Sequence, residues 1–175
     1  MQIDIATMRD LDEVMDLYNE AAASMEGTAF DCRWREGMHP TRRFVGGLIE
    51  EKGLLVARDG GMLVGAVGID HDLGHDYGPV RWLVDVQDEQ VAVVHLLLIR
   101  EGWRGRGLAR ELLDASLELA RARGMRTARL DATANNAPAI ALYASDGFAQ
   151  VAEGVQEIGP DDDPFVPFVV MERVL

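Results

Sequence analysis

Residues 91–113 read VAVVHLLLIREGWRGRGLARELL, and the fold is decided by how this stretch is read. Residues 91–99 are apolar except for His95 and rich in Val, Leu and Ile, which predicts a strand buried on both faces. From Leu108 onward apolar residues recur at helical spacing: Leu108, Leu112, Ala115 and Leu119 form a stripe, widened by Leu113, Leu117 and Ala120. Between strand and helix, residues 100–107 hold three glycines and three arginines. Glycines let backbone N–H groups approach a ligand and a helix N-terminus adds positive potential, so the turn reads as an anion site.

Known phosphate loops can be compared with it. A Walker A loop needs Lys-Ser or Lys-Thr after its second glycine, and none is present. A dinucleotide fingerprint beginning at Gly105 and Gly107 would place Arg110, far too large, at its third small position. The next strand does carry an acid, Asp131, so a nucleotide-dependent oxidoreductase stays open as an alternative.

Arg104, Gly107 and Ala109 spell Arg-x-x-Gly-x-Ala, which is similar to the pyrophosphate loop of the GNAT superfamily of acyl-CoA-dependent N-acyltransferases. Residues 130–148, LDATANNAPAIALYASDGF, resemble the same family at Asn136, Ala139, Leu142, Tyr143, Gly147 and Phe148. These match Asn-x-x-Ala-x-x-Leu-Tyr followed by Gly-Phe, in register and in the family's order. The likeness covers most of the chain. A weaker one, at Trp34, His39-Pro40, Val94-His95, residues 129–131 and Pro164-Phe165, is to a bacterial subgroup of undefined substrate.

The surrounding pattern suits that family. Ile3 and Ile5 predict a first strand, and Asp10 or Asp12 a cap for a helix carrying Leu11, Val14, Met15, Leu17 and Tyr18. A second helix is predicted from residue 40 or 41 to about 51. Residues 54–57 and 62–67 flank Asp59-Gly60-Gly61 as a hairpin. Val80, Trp82, Val84 and Val86 alternate as a further strand. After the central unit come a strand over 127–132, a short helix capped by Asn135 or Asn136, and strands over 148–155 and 165–174. The expectation is an α/β GNAT fold with a mixed sheet of about six to seven strands, flanked by about four helices.

Composition bounds the rest. At 175 residues the chain is expected to form one domain, 1–175. Its net charge of −13 argues against nucleic-acid or anionic-membrane binding. Against that acidic body, residues 100–110 hold four arginines and one acid, Glu101, which fits a phosphate-bearing ligand. The acidic remainder fits either plain solubility or a cationic acceptor. The start of the chain shows no signal-peptide apolar region, no run approaches membrane-spanning length, and the lone Cys32 suits a reducing cytoplasm.

The resemblance implies acetyl transfer from acetyl-CoA to a primary amine of a small molecule or peptide by direct attack. A non-catalytic acyl-CoA sensor is the alternative, and a sheet-edge homodimer stays open. By the same resemblance, the pantetheine arm pairs with the backbone of Leu97, Leu98 and Ile99. The pyrophosphate sits on the N–H groups of Arg104, Gly105, Arg106, Gly107, Leu108 and Ala109. The Ile99 N–H polarises the thioester carbonyl. Arg104 and Arg106 either touch phosphate or remain solvated rim. Asn136 and Ala139 belong to the same binding set, with Asn136 equally able to serve as a helix cap. Tyr143 is either the acid that protonates the departing thiolate or a core tyrosine.

His95 stands where many family members carry Glu. Strand alternation puts it on one face with Leu97 and Ile99. It is either the base that takes the amine proton or a buried brace of the sheet. Asp131 would orient His95 or the amine, or accept backbone bonds. Trp34, Trp82 and Phe165 either line an acceptor pocket or belong to the core. His71 and His75, among Asp70, Asp72 and Asp76, lack tight metal-ligand spacing and read as turn formers, so no metal is expected.

Overall fold

The computed structural model describes every residue except 75–79 and 157–165. Its elements run β1 (Gln2–Ile5), α1 (Leu11–Met25), α2 (Arg42–Glu50), β2 (Leu54–Asp59), β3 (Met62–Asp70), β4 (Val91–Ile99), α3 (Leu108–Ala122), β5 (Thr127–Thr133), α4 (Ala137–Ser145), β6 (Ala149–Gln156) and β7 (Val166–Val174). The strands form one seven-stranded sheet in the order β1-β2-β3-β4-β5-β7-β6. Only β4 and β5 are parallel, which makes the sheet mixed.

Each face of the sheet has its own core. On one, Leu108, Leu112, Leu113 and Leu117 of α3 pack on Val64, Val67, Val94, Ile99 and Leu130, joined by Tyr143 and Phe148. On the other, Val14, Leu17 and Tyr18 of α1 and Val45 and Leu48 of α2 cover Leu54, Val56, Leu63, Leu96 and Leu98. Of the periodic positions read from the sequence, Leu108, Leu112, Leu113, Leu117 and Ala120 of α3 are buried, while Ala115 and Leu119 are half-buried at the edge of the core. The Thr41 hydroxyl caps α2 by accepting the Phe44 N–H, and Asn136 caps α4 by accepting the Ala139 N–H.

Two expectations about the sheet fail, each for a physical reason. Residues 80–86 form no strand, although their alternation predicts one. Side chains hold this segment instead of a ladder. Trp82 stacks beneath the Arg129 guanidinium at 3.9 Å, and the Leu83 N–H donates to the carboxylate of Glu172, a residue with no exposed surface. The second failure concerns His95. Along β3 and β4 the partners run Ala66↔Leu98 and then Gly68↔His95, so β4 carries one extra residue. Leu96 takes the left-handed conformation there, with φ +56°. The bulge reverses the alternation: Leu97 and Ile99 pack on the α3 side with Val94, whereas Leu96 and Leu98 face α1 and α2. His95 therefore lies against Phe44 of α2, on the opposite face from Leu97 and Ile99.

Candidate active site

The β4–β5 ladder is short. It pairs Val91 with Thr127, Ala92 with Ala128 and Val93 with Arg129, then stops. Beyond that point β4 stays with β3 as far as Ile99 and β5 stays with β7 as far as Thr133. The sheet thus opens between its two central strands and leaves backbone groups of β4 without a ladder partner. The Arg100 N–H donates to the Val64 carbonyl of β3 at 2.8 Å, which turns the neighbouring Ile99 N–H toward the open side.

A cleft of about 380 Å³ occupies this opening. Leu97 and Leu98 line it from β4, Asp131 and Thr133 from β5, Ala139 and Tyr143 from α4, and Asn136 from the cap of α4. Trp34 and His95 line it as well, so these sequence-picked residues converge. Rings continue away from His95 in edge and stacked contacts: Phe44 at 5.4 Å, then His39, Trp34 and Tyr18. The Tyr18 hydroxyl donates to the Leu96 carbonyl at 3.0 Å, which pins the bulge that aims His95.

Tyr143 is 7 % exposed and its ring meets Phe148 edge-on at 5.8 Å. Burial, assisted by the nearby negative charge of Asp131, raises its phenol above the ordinary tyrosine value, so it remains protonated through neutral pH. Thr133 contributes the one buried side-chain oxygen, among the described residues, that lacks a hydrogen-bond partner.

The glycine turn lies at the end of β4, past this cleft. Gly105 and Gly107 adopt φ of +76° and +87°, and a Cβ at either would meet nothing within 4 Å. Their backbone, rather than their lack of bulk against the protein, is what the turn requires. The N–H groups of Leu108 and Ala109, the first turn of α3, donate to no acceptor among the described residues. The arginines divide. Arg104 donates through Nε to the Ile99 carbonyl, and Arg106 lies 6.0 Å over Trp103. Arg100 pairs with Glu20, and Arg110 ties α3 to α4 through Asp146 and Ser145.

The strand–turn–helix, the interrupted parallel ladder and the α4 tyrosine coincide with a sequence pattern: residues 12–148 match the Acetyltransferase (GNAT) family. The chain belongs to the GNAT acetyltransferase family. An uncharacterized N-acetyltransferase of Methanocaldococcus jannaschii is 27% identical over 82% of this chain, a match spanning 58% of that relative's own length. Among solved structures, ribosomal-protein-alanine N-acetyltransferase from Brucella melitensis superposes with TM-score 0.75 at 23% identity, covering both chains completely. A Salmonella typhimurium acetyltransferase, solved with acetyl-CoA, gives 0.73 at 19% identity over 99% of this chain and 93% of its own. These likenesses establish the GNAT fold, with the mixed sheet and four helices.

Some sequence-picked residues of this GNAT chain sit elsewhere. Trp82 packs on Arg129 and does not line the cleft. Phe165 lies outside the described residues, as do His75 and Asp76. His71 engages the Val91 carbonyl through Nδ1, and the Asp72 carboxylate receives the Gly74 N–H, which is turn chemistry. The carboxylate in contact with His95 is that of Asp70, 2.7 Å from Nε2, and not Asp131. Asp131 instead lies across the cleft beside Tyr143. Sequence reading missed Asp70, Phe44 and Tyr18, because nothing local marks residues that meet His95 or its bulge only through the sheet and the helix above it.

Proposed function

We propose that this protein transfers an acetyl group from acetyl-CoA to a primary amine by direct attack. The observation that carries the reading is the opening between β4 and β5, where His95, Asp131 and Tyr143 share one cleft beside the glycine turn. Bound acetyl-CoA supplies a thioester whose carbonyl carbon the amine attacks. The open edge of β4 at Leu97 and Ile99 offers strand-like pairing to an extended amide-bearing arm, and the turn from Arg104 to Ala109 offers N–H groups to its phosphates. The Ile99 N–H stabilises charge on the carbonyl oxygen during attack.

Two side chains move protons. His95 takes one from the amine, which must be neutral to attack. Tyr143 gives one to the departing sulfur. Asp131 draws the cationic amine into the cleft before it loses its proton. Residues 1–175 act as one domain, since the first and last strands belong to one sheet.

Calorimetric titration with acetyl-CoA, with NAD as control, tests the first half of the proposal. Saturable binding of acetyl-CoA alone supports it, and absence of binding refutes it. A panel of primary amines (amino acids, polyamines, aminoglycosides and peptide N-termini) then tests transfer by release of the CoA thiol. Binding without thiol release on any of them would make the chain an acyl-CoA sensor.

A further inference from the structure

Asp70 ends β3 and is paired in register with Val93 of β4. One oxygen of its carboxylate, Oδ1, receives the Asp72 N–H at 2.9 Å and meets His95 Nε2 at 2.7 Å. The pair is mostly enclosed, with 14 % of the Asp70 side chain and 17 % of the His95 side chain exposed. An ionised carboxylate only accepts hydrogen bonds, so Nε2 of His95 carries a proton. In the neutral ring Nδ1 is then the basic nitrogen. Phe44 stands edge-on to the imidazole at 87°, which limits the ring's rotation.

We propose that Asp70 is a positioning residue for acetyl transfer: it fixes the His95 tautomer and compensates the imidazolium formed when the amine gives up its proton. The inference rests on the reading of His95 as the base. As the new N–C bond forms, one proton passes from the amine to Nδ1. The ring becomes a cation and Asp70 stays ionised. The same oxygen holds the Asp72 N–H, so it also sets the start of the segment that brings Leu73 into the cleft wall. Base and cleft wall are thereby aligned by one carboxylate.

The decisive variant is Asp70→Asn, which keeps the side chain's shape and leaves an oxygen for the Asp72 N–H. Two readouts are needed. The first requires no acceptor: proton NMR of the [15N]histidine-labelled chain should show a far-downfield, exchange-protected His95 Nε2 proton. It should be missing in H95Q and moved strongly upfield in D70N, where a neutral amide oxygen replaces the carboxylate. Absence of that signal from the unaltered chain, or its persistence unshifted in D70N, would overturn the proposal. The second uses the panel amine that is turned over fastest. D70N should lower kcat by about 10- to 100-fold with acetyl-CoA affinity unchanged, as expected when an orienting carboxylate is lost. Added to H95Q, it should cost nothing further, because Asp70 acts through His95. An equal loss in both backgrounds would make Asp70 merely structural. If H95Q itself leaves kcat unchanged, the base assignment fails; if H95Q loses activity and D70N does not, only the role of Asp70 fails.

Discussion

Tyr143→Phe separates chemistry from binding in this cleft. The substitution removes one oxygen and leaves the ring, which is 7 % exposed and packed edge-on to Phe148. No hydrogen bond joins the hydroxyl to a described residue, so its removal strands no buried partner. The stability change should therefore stay within about 0.5 kcal/mol. The rate effect should be much larger. Burial and the Asp131 charge keep the phenol protonated, as a proton donor must be. General acid catalysis contributes about 10²- to 10⁴-fold, or roughly 2.7–5.4 kcal/mol of barrier. Steady-state thiol release should show that loss in kcat, while calorimetry shows acetyl-CoA affinity within about twofold of the unaltered chain. Donors with a more acidic thiol should narrow the gap, since their sulfur needs less help to leave. A kcat within about threefold of the unaltered chain, with the fold intact, would refute Tyr143 as the acid.

Three further outcomes follow from the same geometry. Arg129→Met strips the buried Glu172 carboxylate of its cation, leaving Thr127 and the Leu83 N–H, and should cost about 3–5 kcal/mol in urea unfolding. The double variant Arg129→Met, Glu172→Leu should recover most of that loss, and a single-variant cost under about 1 kcal/mol would contradict it. Gly107→Val forces a β-branched residue into φ +87° at the mouth of α3, and calorimetry should show acetyl-CoA affinity falling by at least about tenfold. Stability should decline at both pH extremes. Arg35, with the N–H groups of Gly27 and Arg33, holds the Asp31 carboxyl well below the usual range. Its contribution is present above about pH 4 and lost as pH falls further. Burial raises the phenols of Tyr18 and Tyr143, so theirs is present below about pH 10 and lost as pH rises. Unfolding midpoints measured from pH 2 to 11 check both limbs, and Asp31→Asn should flatten the acid one.

Much of this protein was determined by its sequence alone. Apolar periodicity marked the inward faces of α1 and α3, because a helix repeats every 3.6 residues whatever packs against it, although Ala115 and Leu119 of α3 are only half-buried. The glycine turn after residues 91–99 and the run from Asn136 to Phe148 marked the family, since both are local devices: a left-handed turn before a helix, and a capped helix bearing Tyr143. Three features belong to the tertiary structure. Alternation placed His95 with Leu97 and Ile99, but a single extra residue at Leu96, held by the Tyr18 hydroxyl from α1, reversed the faces. The regular spacing of Val80 to Val86 described a strand, yet Arg129 and Glu172 from two other strands claimed Trp82 and the Leu83 N–H. Asp131, in the nearest motif, was the carboxylate expected beside His95; the fold places Asp70 there instead, 25 residues away along the chain. Local periodicity specifies which face a residue shows only while the ladder is regular. Where a bulge or a buried charge intervenes, long-range contacts settle the direction of a side chain, and with it the geometry of the site.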